Sequence, residues 1–223
     1  MINFNRNEVI ILATWLAHLR VADRLLDEFG FPAREFLAGN VAPDCGEPVS
    51  GGFDPPKEVT HWKKSGTGQI DYERFRRELI QPEENPQNRT FLTGYFCHLM
   101  ADSLWSRLIN EPLKERYKEL YSSDREEFYR RIKPEWYAND FLFLERDPEF
   151  RGFRLFCEIT EFPVDCLPYY RVDSVEKQIR FIQRYYLNSP ERVETLTYLT
   201  PPEMDSWVEK AAERIAERLR MGI

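Results

Sequence analysis

The sequence lacks the features that identify several broad classes of protein. It contains no run of the about 18 to 20 apolar residues that a membrane-spanning helix needs. Lysine and arginine are scattered and the formal net charge is -7, so we expect no nucleic-acid-binding surface. The first residues show neither the basic start nor the cleavage site of a secretory signal, which predicts a cytoplasmic protein.

Cysteine is also scarce and irregularly spaced. The four cysteines form no Cys-x-x-Cys pair, which argues against a structural zinc knuckle and against a dithiol redox motif. We predict that they are free thiols and mostly buried. They are Cys45, Cys97, Cys157 and Cys166.

What the chain does have is a large apolar fraction arranged with helical periodicity. Hydrophobic residues make up 42% of the 223 residues, enough for a substantial core. Apolar residues recur at steps of three and four, which predicts an all-α fold in one multi-helix domain over residues 1–223. Residues 134–168 look irregular, and 40–68 look like a long loop of the kind that is commonly functional. Predicted helices cover residues 8–29, 31–37, 71–79, 89–108, one or two stretches within 113–131, 174–186 and 201–221.

The clearest chemical signal comes from the few histidines. Only three occur, and His98 stands four residues before Asp102 on the most apolar predicted helix. That spacing places both side chains on one helix face, where they can hold one cation together. No lysine or arginine lies between Arg89 and Arg107, so a buried Asp102 would lack a counter-charge unless a metal supplied it. The simpler alternative is a His–Asp hydrogen bond that braces the helix.

The other candidate ligands are His18, Asp44 and His61. Taken singly, each is more typical of a structural histidine or a turn aspartate. Together with His98 and Asp102 they form a set of imidazoles and carboxylates that suits Zn²⁺, Mn²⁺ or Fe²⁺. Five ligands exceed the need of one tetrahedral zinc and suit two metals bridged by a carboxylate.

In their local context these residues resemble a known family, the zinc-dependent phospholipases C, whose fold is related to the S1/P1 nucleases. The resemblance covers about half of the chain, roughly residues 13 to 105. The segments that carry it are Trp15-Leu16-Ala17-His18, Gly39-Asn40-Val41-Ala42-Pro43-Asp44, Thr60-His61-Trp62 and Gly94-Tyr95-Phe96-Cys97-His98-Leu99-Met100-Ala101-Asp102-Ser103-Leu104-Trp105.

The resemblance implies an all-α fold of the phospholipase C/P1 nuclease type and a role for each ligand. His18 would bind one metal, Asp44, His61 and His98 the other, and Asp102 would bridge the two, most simply two zinc ions. Asp44 would also be the catalytic residue that orients or deprotonates the attacking water.

The sequence departs from the secreted members of the family. Those enzymes hold a third metal through further histidines, whereas no histidine follows His98 here. They also use the amine and carbonyl of the mature N-terminal residue as ligands, which we expect to be missing or replaced here. The candidates for a substitute ligand are Glu158, Asp165 and Asp173.

The function predicted from these residues is metal-dependent hydrolysis of a phosphoester, a phosphodiester or a phospholipid, by water that two metals activate. Lys57, Lys63 and Lys64 flank His61 and could attract a phosphate, although a solvated loop is the simpler interpretation. An HD-type phosphohydrolase is disfavoured because the chain has no adjacent His-Asp pair. A non-catalytic, metal-stabilised helical scaffold or binding protein is the main alternative.

Overall fold

The computed structural model describes residues 12–50, 52–188 and 196–223. Within these ranges the chain is helical apart from loops and one small antiparallel hairpin, so the all-α prediction is confirmed. The first half comprises α1 (Trp15–Phe29), α2 (Ala33–Val41), a 3₁₀ turn (Ala42–Asp44), β1 (Glu47–Val49), β2 (Gly52–Asp54), α3 (Lys57–Thr60), α4 (Tyr72–Phe75) with a π turn (Arg76–Ile80), and α5 (Pro86–Trp105). A second π turn (Ser106–Asn110) leads to α6 (Glu111–Arg116), α7 (Lys118–Ser123), α8 (Arg125–Arg146), α9 (Arg151–Cys157), α10 (Ser174–Leu187) and α11 (Pro201–Arg220).

Helix α1 begins later than its apolar periodicity predicts. The side chain of Thr14 caps it by accepting a hydrogen bond from the amide of Ala17, so the first helical residue is Trp15. The predicted start at Glu8 lies outside the described residues. The helix ends as predicted at Gly30, whose φ of 64° suits glycine.

Helices α2 and α5 cross at very short distance, and two glycines permit the crossing. A Cβ on Gly39 would lie 1.9 Å from the carbonyl oxygen of Phe91, and one on Gly94 would lie 2.1 Å from that of Phe36. The predicted end of this helix at residue 37, before Gly39 and Asn40, is therefore wrong, since α2 continues to Val41. This glycine serves helix packing instead of helix termination.

The region 134–168, predicted to be irregular, contains much of α8 and all of α9. Pro134 lies inside α8 and is exposed, so the helix tolerates its missing amide donor on the solvent side. Trp136 of α8 packs edge to face against Trp105 of α5, with ring centroids 5.1 Å apart. Burial of these large rings outweighs the local cost of the proline.

The last two helices match their predicted bounds closely. Helix α11 opens with the expected capping box, in which Thr200 and Glu203 satisfy each other's backbone amides. Its buried stripe includes Trp207, which meets Trp105 edge to face at 4.9 Å. Helix α11 therefore closes the core beside α1 and α5.

The long loop after α2 is more ordered than predicted. Strands β1 and β2 pair antiparallel, with Glu47 opposite Asp54 and Val49 opposite Gly52, and α3 follows directly. The four cysteines are free, as predicted: Cys45 and Cys97 are buried, and Cys157 and Cys166 are partly buried. Among the helices of the described ranges, none combines the length and apolarity needed to cross a membrane.

Candidate metal centre

The three histidines come from separate parts of the chain and meet in the interior. His18 lies on α1, His98 on α5, and His61 at the end of α3, and each is fully buried. The rings of His18 and His98 stack with centroids 3.8 Å apart and planes within 5° of parallel. The ring of His61 approaches His98 edge-on at 5.4 Å.

Asp102 lies between these rings and presents one carboxylate oxygen to each side. Its Oδ1 is 3.2 Å from Nε2 of His18 and accepts a hydrogen bond from the amide of Ala13 at 3.1 Å. Its Oδ2 is 3.0 Å from Nε2 of His98 and 3.5 Å from Nε2 of His61. A carboxylate in this position is suited to link two neighbouring cations.

Asp44 closes the other side of the cluster from the 3₁₀ turn after α2. Its Oδ1 lies 3.5 Å from Nε2 of His61 and also contacts the ammonium group of Lys57. Its Oδ2 accepts a hydrogen bond from the indole nitrogen of Trp15 at 3.0 Å. Trp15 therefore fixes one oxygen and leaves the other facing the histidines.

Several of the converging atoms are close together yet not hydrogen-bonded. Among the described residues, Nε2 of His61, Nε2 of His98 and Oδ2 of Asp102 are buried without a hydrogen-bond partner, although Oδ2 lies 3.0 Å from Nε2 of His98 and 3.5 Å from Nε2 of His61. Such atoms are costly unless something between them satisfies their lone pairs. The donor type and the convergence both fit divalent cations such as zinc.

The potential ligand atoms form two overlapping groups. One comprises His18, His98 and Asp102, and the other comprises Asp44, His61 and His98; within each group the ligand atoms lie within 4.8 Å of one another. The residues present therefore fit the binding of a divalent cation, and the two groups share His98.

Hydrogen bonds outside the cluster orient the histidine rings. Nδ1 of His98 donates to the carbonyl oxygen of Asn40 at 2.8 Å, which turns the Nε2 lone pair toward Asp102. Nδ1 of His61 lies 2.9 Å from the hydroxyl oxygen of Thr60. The backbone carbonyl of Thr60 in turn accepts a hydrogen bond from the hydroxyl group of Tyr95. Helix α2 thus orients the ring of His98, and α3, which Tyr95 ties to α5, orients the ring of His61.

The electrostatics keep most of these groups in the state that metals need. Burial and the charge of Lys57 lower the pKa of His61 to about 4, and burial and His98 lower the pKa of His18, so both imidazoles are neutral at pH 7. Burial opposes ionisation of Asp44, but Lys57 holds its pKa well below the ordinary value.

His98 and Asp102 form a coupled pair. Burial works against the charged form of each, yet the carboxylate raises the pKa of His98 and the imidazoles of His98 and His18 lower the pKa of Asp102. A cation bound beside Asp102 would oppose protonation of His98, because both compete for its Nε2 lone pair.

The first half of the chain, residues 12–124, matches the family model described as zinc dependent phospholipase C. This stretch includes all five residues of the cluster. The chain belongs to the zinc-dependent phospholipase C family. Searches of curated proteins and of solved structures give no significant match.

Membership of the zinc-dependent phospholipase C family agrees with the all-α fold, and it implies a zinc-dependent phospholipase, which is a hydrolase. The five residues predicted from the sequence meet at one place, although their roles as ligands stay a prediction. The three candidates for a substitute ligand do not join them. Glu158, Asp165 and Asp173 are exposed and belong to neither ligand group in the described residues.

One sequence interpretation is wrong. Lys57 does not lie on a solvated loop, because its side chain is only 7% exposed and contacts Asp44. Lys64, by contrast, is exposed as expected. Sequence reasoning also missed Trp15 and Asn40 as residues that orient ligands, although both lie within the segments that resemble the family.

Proposed function

We propose that this chain hydrolyses a phosphodiester bond, with a phospholipid as the leading substrate class, at a pair of divalent metals, most simply zinc. The observation that carries the proposal is the convergence of buried, unpartnered histidine and carboxylate atoms around Asp102. Family membership supports the same chemistry at the coarser level of zinc-dependent phospholipid hydrolysis.

In this proposal each ligand has a definite part. His18 would hold one cation, Asp44, His61 and His98 would hold the other, and Asp102 would serve both. When bound, the two cations supply Lewis acidity, which makes water more acidic and stabilises negative charge that develops on the phosphoryl oxygens.

The residues of the chain direct the attack. Asp44 is ionised at neutral pH and buried beside His61, so it can accept a proton from the water that attacks phosphorus. The oxygen of that water forms a new bond to phosphorus as the bond from phosphorus to the alcohol oxygen breaks. The alcohol leaves with the proton that Asp44 took from the water, which returns Asp44 to its ionised state. Trp15 holds the Asp44 carboxylate in place during this transfer.

The test combines metal content with turnover. Purified protein should contain close to two equivalents of zinc and should hydrolyse a chromogenic phosphodiester or a phospholipid in mixed micelles. Loss of a residue that only orients a metal ligand weakens metal binding by about 10- to 100-fold. His98→Ala and Asp102→Asn remove ligands themselves, so each should weaken zinc binding by more than this and should abolish turnover. The control is Asp173→Asn, since Asp173 is exposed and pairs only with surface groups.

Two results would contradict the proposal. Full zinc content in both ligand variants would show that the metal lies elsewhere. Bound zinc without turnover on diester, monoester and phospholipid substrates would favour the metal-stabilised scaffold.

A further inference from the structure

Lys57 occupies an unusual place for a lysine. It is the first residue of α3, and its side chain is only 7% exposed. Its ammonium group contacts Oδ1 of Asp44 and lies 5.3 Å from the ring centroid of Phe53, within the range of a cation–π contact. Lysine is almost never buried unless it is paired. The partner here is a carboxylate that is itself a proposed metal ligand.

The contact engages the oxygen of Asp44 that faces the histidines. Oδ2 accepts a hydrogen bond from the indole nitrogen of Trp15 at 3.0 Å, whereas Oδ1 lies 3.5 Å from Nε2 of His61. The oxygen that would bind a cation beside His61 is therefore the oxygen that Lys57 contacts. An ammonium group and a divalent cation are both positive, so each weakens the attraction of this oxygen for the other.

The other ligand group has no such competitor. It comprises His18, His98 and Asp102. In the described part of the chain, the contacts of the Asp102 carboxylate come from three imidazoles and the amide of Ala13, and no lysine or arginine is among them. The two sides of the cluster therefore differ in charge, because a buried cation of the protein itself contacts only the side of Asp44.

We propose that Lys57 is an internal cation that competes with metal for Asp44. The cation beside Asp44 and His61 therefore binds more weakly than the one beside His18 and Asp102. Zinc fills the lysine-free side first, and the second zinc binds as Asp44 exchanges its contact with Lys57 for a contact with the metal. This inference rests on the proposed function, which places two cations here, and it makes the Asp44 side the one that limits loading at low zinc.

Zinc titration measures this competition without turnover. Metal-free protein is titrated calorimetrically with zinc at pH 7, and chelator competition gives the tighter of the two affinities. Wild type should bind one zinc tightly and one more weakly. Lys57→Met should tighten the weaker affinity about 10- to 100-fold, the range that one charge-assisted hydrogen bond represents, and should change the tighter one much less.

The matched control is Lys64→Met. Lys64 is also close to His61 along the chain, but its side chain is 52% exposed and it pairs with Asp71. The substitution removes the same charge without touching a proposed ligand, so both zinc affinities should stay at the wild-type values. A gain in Lys64→Met equal to that in Lys57→Met would overturn the inference, because net charge alone would then explain both.

Melting temperatures separate competition from loss of structure. Without zinc, Lys57→Met should melt below wild type, because Asp44 then carries a buried charge with no counter-charge. Zinc neutralises Asp44 in both proteins, so the rise in melting temperature on zinc addition should be larger in Lys57→Met. Should Lys57→Met fail to fold without zinc, Lys57→Gln is titrated in its place, since it keeps a hydrogen-bond donor without the charge.

The outcomes distinguish this inference from the proposed function. Two zinc ions and turnover in wild type, with unchanged or weaker zinc binding in the folded Lys57 variants, would overturn the inference and leave hydrolysis intact. If a Lys57 variant gains or tightens a zinc site but no phosphoester is hydrolysed, the proposed function fails and the competition stands. Absence of zinc from wild type and from both variants would contradict both.

Discussion

Replacing Gly39 with alanine tests whether the crossing of α2 and α5 sets the geometry of the metal centre. The new Cβ would lie 1.9 Å from the carbonyl oxygen of Phe91, whereas ordinary contact begins at 3.4 Å, so the two backbones must separate by about 1.5 Å. Asn40 is the next residue, and its carbonyl accepts the hydrogen bond of His98 at 2.8 Å. A shift of that size would break this bond and release the His98 ring.

The expected loss of stability is large for a change of one methyl group. Overpacking a rigid contact costs about 3 kcal/mol, which outweighs the gain of up to about 1 kcal/mol that alanine gives an open helical site. The net loss is then about 2 kcal/mol or more, and for a protein of this size the melting temperature should fall by at least about 4 to 8 °C. Zinc affinity should fall about 10- to 100-fold, as when an outer-shell partner is lost.

Calorimetric melting and chelator competition for zinc measure the two effects. The control is Gly30→Ala, because Gly30 has a φ of 64° and nothing within 4 Å of the added Cβ. That variant should lose about 1 kcal/mol and bind zinc normally. Wild-type zinc affinity in Gly39→Ala, or an equal loss in Gly30→Ala, would refute the link between helix packing and the site.

Three further predictions concern a buried acid, a half-buried ion pair and the bound metal. Burial raises the pKa of Asp140 from 3.8 to about 7, so ionisation of this acid destabilises the fold as pH rises through this interval. In urea denaturation, the free energy of unfolding of Asp140→Asn should therefore rise by about 4 kcal/mol relative to wild type between pH 4 and pH 8. A difference that does not change with pH would contradict this. Hydrogen bonds from Arg218 lower the pKa of Glu73 to about 2, which stabilises the fold above about pH 4.5 and is lost as pH falls toward 2. Because Glu73 is 35% exposed, solvent weakens this ion pair. In the same assay Glu73→Gln should cost only about 1 kcal/mol at pH 7 and nothing near pH 2. Chelation leaves three buried ligand atoms unsatisfied, so the melting temperature should drop by at least about 6 °C, and an unchanged value would argue against a bound metal.

The parts of the molecule that local sequence determines were predictable. The capping box at Thr200 and the regular apolar stripe after it define α11, and the four-residue spacing of His98 and Asp102 places them on one face of α5. Because histidine is scarce, His18 and His61 were also predictable as candidate ligands. The structure brings these five side chains together.

The parts that depend on long-range packing were not predictable. Gly39 resembles a helix terminator, and only the close approach of Phe91 explains why α2 continues through it. Pro134 suggests a broken helix, yet the tryptophan packing of α8 sustains it. The burial of Lys57 depends on where the loop before α3 folds against Asp44, which no local pattern encodes.

The most direct test of the proposed centre is anomalous diffraction from crystals of the purified protein, recorded on both sides of the zinc edge. We predict two peaks about 3.5 to 4 Å apart, one on each side of the Asp102 carboxylate. Peaks away from Asp102, or none in a protein that hydrolyses phosphodiesters, would contradict the assignment.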